Sequence, residues 1–219
     1  MRRRAIETLH RRFTCEAESH TIASSMQDET SGKAFLYTVG HSNHAIEKFV
    51  ALLEQYQIEA LVDVRSHPSS RYNPQYNAPP LSAVLKEHGI RYLFLGKELG
   101  GRPDDERYYD ESGRVLYNEW AESPVFLEGI ERVKRGAEKF RIALMCSEEN
   151  PQHCHRRLLV TPVLRDCGIE VLHLRGDGDV QPESDFLTPQ PSLFGDEGVS
   201  WKSVKPIMAK KQSEDFDDE

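Results

Sequence analysis

Five short, largely apolar runs constrain this chain more than any other feature of it: Phe35–Val39, Ile58–Val64, Ile90–Leu95, Phe140–Cys146 and Ile169–Leu174. Each has the length of a buried strand and falls short of a helix that must cover a core. Helical patterns fill the gaps. Ile46, Phe49, Val50, Leu53 and Tyr56 recur at helical spacing, with Ser42 or Asn43 placed to cap that helix. A second helix over Leu81–His88 stops at Gly89, a third over Pro124–Glu138 carries proline in its first turn, and a fourth over Arg156–Asp166 ends at Gly168. Strands apolar on both faces that alternate with helices predict a three-layer, Rossmann-like α/β domain. Its sheet is mainly parallel and five-stranded, with helices on both faces.

The domain is expected to span residues 34–176. Residues 1–33 lack periodicity and read as a flexible N-terminal extension. Residues 177–219 read as a disordered acidic tail that closes on Glu214-Asp215-Phe216-Asp217-Asp218-Glu219. Hydrophobic residues at 38% and a mean hydropathy of -0.61 agree with a core diluted by polar ends. A net charge of -8 sets the chain apart from basic proteins that track nucleic acid, although local basic clusters can still hold phosphate. Four cysteines, Cys15, Cys146, Cys154 and Cys167, are too sparse and irregular for a disulfide framework, so a reducing cytoplasm is expected. No run approaches the roughly 18 apolar residues of a membrane span. The basic start Met1-Arg2-Arg3-Arg4 lacks the apolar region of a signal peptide.

In an open parallel sheet the loops after the strands share one edge, and ligands bind there. Three such loops are rich in chemistry. The first is Gly40-His41-Ser42. The second starts at Asp63-Val64-Arg65 and continues through His67 to Ser70 and Arg71. The third runs from Cys146 and Glu148 to Cys154-His155-Arg156. A helix that opens on Cys-His-Arg presents unpaired N–H groups and partial positive charge, and Arg156 adds a planar fork suited to phosphate. With Arg65 this makes an anion pocket, expected to involve Gly40, His41, Ser42, Arg65, Ser70, Arg71, Cys154 and Arg156.

Each feature also has a plainer reading. Cys146 is a nucleophile with His155 or His41 as base, or it is a small buried hydrophobe. Asp63 and Glu148 are an acid and a base, or Asp63 orients Arg65. His155 and Arg156 hold an anion, or they brace the fold. Tyr72, Tyr76, Tyr92, Tyr108, Tyr109, Tyr117 and Trp120, interleaved with arginines, stack on bases or pin down the long loops. Cys146, Glu148, Cys154 and His155 are all plausible zinc ligands, but their spacing matches no paired-cysteine pattern. Adjacent Cys154 and His155 would also point apart in a helix. No metal and no cofactor is therefore expected.

Several motifs taken together resemble one family. They are Thr38-Val39-Gly40-His41-Ser42, Val62-Asp63-Val64-Arg65 with Pro68 and Ser70, Leu99-Gly100-Gly101, and Met145-Cys146-Ser147-Glu148 with Cys154-His155-Arg156. The family is domain-of-unknown-function family 488 (DUF488), found mostly in bacteria and archaea. The resemblance covers Phe35 to Leu174. It implies an α/β domain whose motif residues line one pocket, and it supplies no substrate. Separately, Gln190-Pro191-Ser192-Leu193-Phe194 resembles the short peptide by which bacterial DNA repair and replication proteins bind the sliding clamp. Gln190, Leu193 and Phe194 would make the contacts, and Pro191 stands where an aliphatic residue is common.

Three functions remain open at this point. The first is an enzyme of hydrolase, glycosidase or transferase type that acts on a nucleotide or on a DNA base or sugar. Asp63, Cys146, Glu148 and His155 would be its catalytic groups. The second is a non-catalytic accessory module recruited by the clamp to nucleic acid. The third is a metal-stabilised domain.

Overall fold

A computed structural model describes residues 35–186 and 201–207. The expected N-terminal extension and the peptide residues Gln190, Leu193 and Phe194 lie outside the described residues. The strands are β1 (Phe35–Gly40), β2 (Ala60–Asp63), β3 (Arg91–Phe94), β4 (Ile142–Cys146), β5 (Glu170–Leu174) and β6 (Val180–Pro182). They form one sheet in the order β3-β2-β4-β1-β5-β6. All neighbours are parallel except β5 and β6. The chain is an α/β protein with a mostly parallel mixed sheet.

The helices are α1 (Ile46–Gln55), α2 (Ala78–Glu87), α3 (Gly96–Leu99), α4 (Tyr117–Trp120), α5 (Pro124–Ala137) and α6 (Thr161–Asp166). Their apolar residues divide between two clusters. Leu36, Ala60, Val62 and Leu144 pack with Phe126, Ile130 and Val133 of α5 and with Val163 and Leu164 of α6. Tyr37, Leu61, Ala143 and Met145 pack with Phe49, Leu52 and Leu53 of α1 and with Leu81 and Leu85 of α2. Successive strand residues alternate between the clusters, as the pleat of a strand requires.

The structure departs from the sequence expectation in four places. The sheet has six strands, not five. β6 is only three residues long and contains Pro182, which a sheet tolerates at its edge, so alternation could not reveal it. Ser42 and Asn43 do not cap α1. Ala45 holds the N-cap position, and Ser42 sits in a turn at φ 47°. The tail expected from residue 177 joins the domain twice, through β6 with the 3-10 turn Glu183–Phe186, and through residues 201–207.

The fourth departure is the helix expected over Arg156–Asp166. It opens as a π-helical turn over Arg156–Val160 before α6 begins. Pro162 has no N–H to give to the carbonyl four residues back, that of Leu158. The Trp201 indole N–H takes that carbonyl instead, at 2.7 Å. From this anchor residues 201–207 run as a strap across the domain. Tyr117 N–H donates to the Trp201 carbonyl, Ser203 N–H to Val115 and Ile207 N–H to Gly113.

No helix among the described residues is long and apolar enough to cross a membrane.

Candidate functional site

β4 lies between β1 and β2, and all five of its residues are buried. It ends at Cys146. The chain then turns across the end of β1, where His41 N–H donates to the Cys146 carbonyl and Ser42 N–H to that of Ser147. This crossing explains Gly40. A Cβ there would lie 2.0 Å from the Glu148 carbonyl oxygen.

Arg156 fastens the same loop from below. It is 0% exposed and donates through Nη1 to the Glu148 carbonyl, through Nη2 to that of Glu149 at 2.6 Å, and through Nε to Thr38 Oγ1 at 3.3 Å. Held this way, the loop directs the Ser147 and Glu148 N–H groups at the Cys146 sulfur. A hydrogen bond from the Cys154 thiol, the Arg156 charge and these two N–H groups outweigh burial and bring the Cys146 thiol down to about 7. Burial pushes the Cys154 thiol up.

His155 completes the cluster. Its Nε2 lies 2.8 Å from the Val64 carbonyl, which makes Nε2 the protonated nitrogen. Nδ1, which carries a lone pair in the neutral imidazole, then faces Cys146 Sγ at 3.6 Å and Cys154 Sγ at 4.0 Å. Adjacent Cys154 and His155 were expected to point apart. Instead they converge, because Cys154 is extended (φ -101°, ψ 139°) and only His155 enters the helical turn (φ -60°, ψ -27°). Gly101 of the Leu99-Gly100-Gly101 motif packs against His155, where a Cβ would lie 2.8 Å from the His155 side chain.

The cluster forms part of the wall of a cleft of about 430 Å3. Cys146, Ser147, Glu148, His153 and His155 line one side, and Arg65, Ser66, His67 and Ser69 a second. Gly101, Arg102 and Tyr117 contribute, and the strap adds Ser203, Val204, Lys205 and Ile207. Arg102 and Lys205 are exposed and make no ion pair among the described residues. The cleft is therefore basic around the thiol.

The expected anion-binding residues divide. Arg65 lines the cleft, but most of its guanidinium is engaged. Nε and Nη2 grip Asp63 at 2.9 and 2.6 Å, Nη2 also donates to the Tyr76 carbonyl, and Nη1 meets His41 Nε2 at 3.1 Å. Asp63, 0% exposed, also accepts from the Tyr92 hydroxyl at 2.7 Å. His41 donates from Nδ1 to the Ser42 carbonyl and stacks on Tyr76. Burial, with Arg65 beside it, pushes its imidazole down to about 4. Gly40, His41, Ser42, Cys154 and Arg156 support the site from outside the cleft lining.

Ser70 and Arg71 lie apart from it. Ser70 Oγ closes a turn by accepting from the Tyr72 and Asn73 N–H groups, and Arg71 rests on exposed Tyr72. Of the loop aromatics, Tyr76, Tyr117 and Trp120 are buried in the clusters that hold the loops. His153 and Lys205 were not anticipated. Lys205 had no local signal, because it reaches the cleft through the strap's bonds to residues distant in sequence, Gly113, Val115, Tyr117 and Leu158.

A family model described as a domain of unknown function, DUF488, matches residues 45–162. The chain belongs to the DUF488 family. No curated protein and no solved structure was found to match it. The DUF488 region takes in Asp63, Arg65, Gly101, Cys146, Cys154, His155 and Arg156. The strap and β6 lie outside it.

Proposed function

We propose that this DUF488 domain is an enzyme that uses Cys146 as a nucleophile on an anionic substrate, with phosphate-bearing nucleotides or nucleic acid as the substrate class. One observation carries the reading. A thiol on a basic cleft faces the lone pair of an imidazole 3.6 Å away whose other nitrogen is fixed by a backbone carbonyl. In the reaction the Cys146 proton passes to His155 Nδ1, and Sγ bonds to an electrophilic centre of the substrate. The bond from that centre to the leaving group breaks, the leaving group recovers the proton from His155, and a water molecule then hydrolyses the bond to Sγ, returning its proton to the thiolate through His155. Arg102 and Lys205 hold the substrate's negative charge, and the Ser147 and Glu148 N–H groups stabilise the sulfur. Asp63 enters as a positioning residue that holds Arg65. The 190–194 peptide is kept in this proposal as a tether to a sliding clamp, carried by its sequence alone.

The test is site-resolved alkylation of the reduced, metal-free chain with iodoacetamide at neutral pH, followed by mass spectrometry. Cys146 is expected to label well ahead of Cys167, His155→Ala to slow it roughly tenfold, and a nucleoside monophosphate to protect it. An Arg102→Ala/Lys205→Ala chain should lose that protection. Labelling no faster than at Cys167, or indifference to both the phosphate ligand and His155, overturns the reading.

A further inference from the structure

We propose that Cys146 Sγ, Cys154 Sγ and His155 Nδ1 form a three-ligand site for a zinc-class divalent cation, with its fourth position open to the cleft. The three donor atoms lie within 4.8 Å of one another. In a tetrahedral zinc site with bonds of about 2.3 Å to sulfur and about 2.0 Å to nitrogen, neighbouring donors sit about 3.5–3.8 Å apart. The sulfur-to-nitrogen distances of 3.6 and 4.0 Å are already within a few tenths of an ångström of that. Two thiolates and an imidazole favour zinc over hard cations such as magnesium or calcium.

Two further observations point the same way. The first is the hydrogen bond from His155 Nε2 to the Val64 carbonyl. A metal-ligating histidine needs such a partner to fix its tautomer and aim its free nitrogen. The second is the charge on Arg156. It is fully buried, and its partners among the described residues are two carbonyls and a hydroxyl, none of them a carboxylate. A dication with two thiolates is neutral, so an anion in the fourth position would balance Arg156. Cys146 and His155 both line the cleft, which brings the fourth position to its basic interior.

This inference shares residues with the nucleophile reading without depending on it. A bound cation takes the Cys146 lone pair as a ligand, so the loaded chain is silent as a nucleophile and its release restores the thiol. The S–H bonds of Cys146 and Cys154 ionise, and the two protons leave to solvent as the metal enters; no other bond of the protein breaks.

The experiment titrates the reduced, metal-free full-length chain with zinc against a chromogenic chelator. One zinc per chain is expected. Cys154→Ser and His155→Ala should each weaken binding by about a hundredfold or more, and Cys167→Ser should leave it unchanged. Cobalt titrated into the wild-type chain should give a thiolate-to-metal absorption band, which covers the case of a variant that fails to fold. Zinc should also block alkylation of Cys146. Absence of stoichiometric binding, or binding indifferent to both variants, overturns the site. If Cys146 alkylates readily but zinc does not bind, the metal inference alone falls. If zinc binds but the metal-free thiol is unreactive, the nucleophile reading alone falls.

Discussion

Arg65 and Arg156 share a chemistry and differ in what their charge meets. Arg65 faces Asp63 in a bidentate pair, 4% and 0% exposed, with Tyr92 and the Tyr76 carbonyl filling the remaining positions. Removing the carboxylate leaves a buried guanidinium without its anion. Asp63→Ala is therefore expected to cost about 3–5 kcal/mol, measured as a shift in the urea midpoint at unchanged slope. Asp63→Ala/Arg65→Met should lose less than Asp63→Ala alone. Equal losses would mean that the two groups are not coupled. The sequence singled out both residues, and it also offered the reading in which Asp63 orients Arg65. It could not choose between them, because the deciding partners, Tyr76, Tyr92 and His41, come from three other segments. The same holds for Cys154 and His155, whose convergence depends on the backbone angles of one residue.

At the scale of elements, the strands and long helices were legible because burial imposes a period on the sequence. β4 and α5 match their expected spans within a residue or two. What escaped has no period. β6 is too short, and the strap is recognised only by what it replaces. The Trp201 indole satisfies the Leu158 carbonyl that Pro162 leaves open. Trp201→Phe keeps most of the ring and removes the donor, so it should cost about 1–3 kcal/mol and loosen residues 201–207. Hydrogen exchange at the Ser203 and Ile207 amides, which bond to Val115 and Gly113, reads that loosening directly. Protection unchanged from wild type would show that the strap is held elsewhere.

Across the whole molecule, a buried polar chain links the far edge of the sheet to the thiol loop. Glu183 accepts from His173 Nε2 at 2.8 Å, and His173 Nδ1 accepts from the Thr38 hydroxyl at 2.7 Å. Thr38 in turn accepts from Arg156 at 3.3 Å. In this arrangement His173 is neutral, and burial pushes its pKa below the usual 6.5. The unfolded chain takes up a proton near pH 6.5 that the folded chain refuses. Stability is thus complete above that pH and falls as the pH drops below it. Melting temperatures of wild type and His173→Gln at pH 7 and pH 5 test this. The difference between the two pH values should be smaller in the variant, and an equal difference would exclude His173 as the source. None of this chain was visible in the sequence, since its members lie up to 135 residues apart.

Among the described residues the strap is also last in the order of synthesis. Every strand and helix described precedes residue 201 in the chain. Domains fold as they emerge, N-terminal segments first, at about 5–20 residues per second. A nascent chain can therefore complete β4 and present Cys146 before Ser203, Lys205 and Ile207 exist to wall the cleft. For that interval β4 and Cys146 are in place while one wall of the cleft is still to be made.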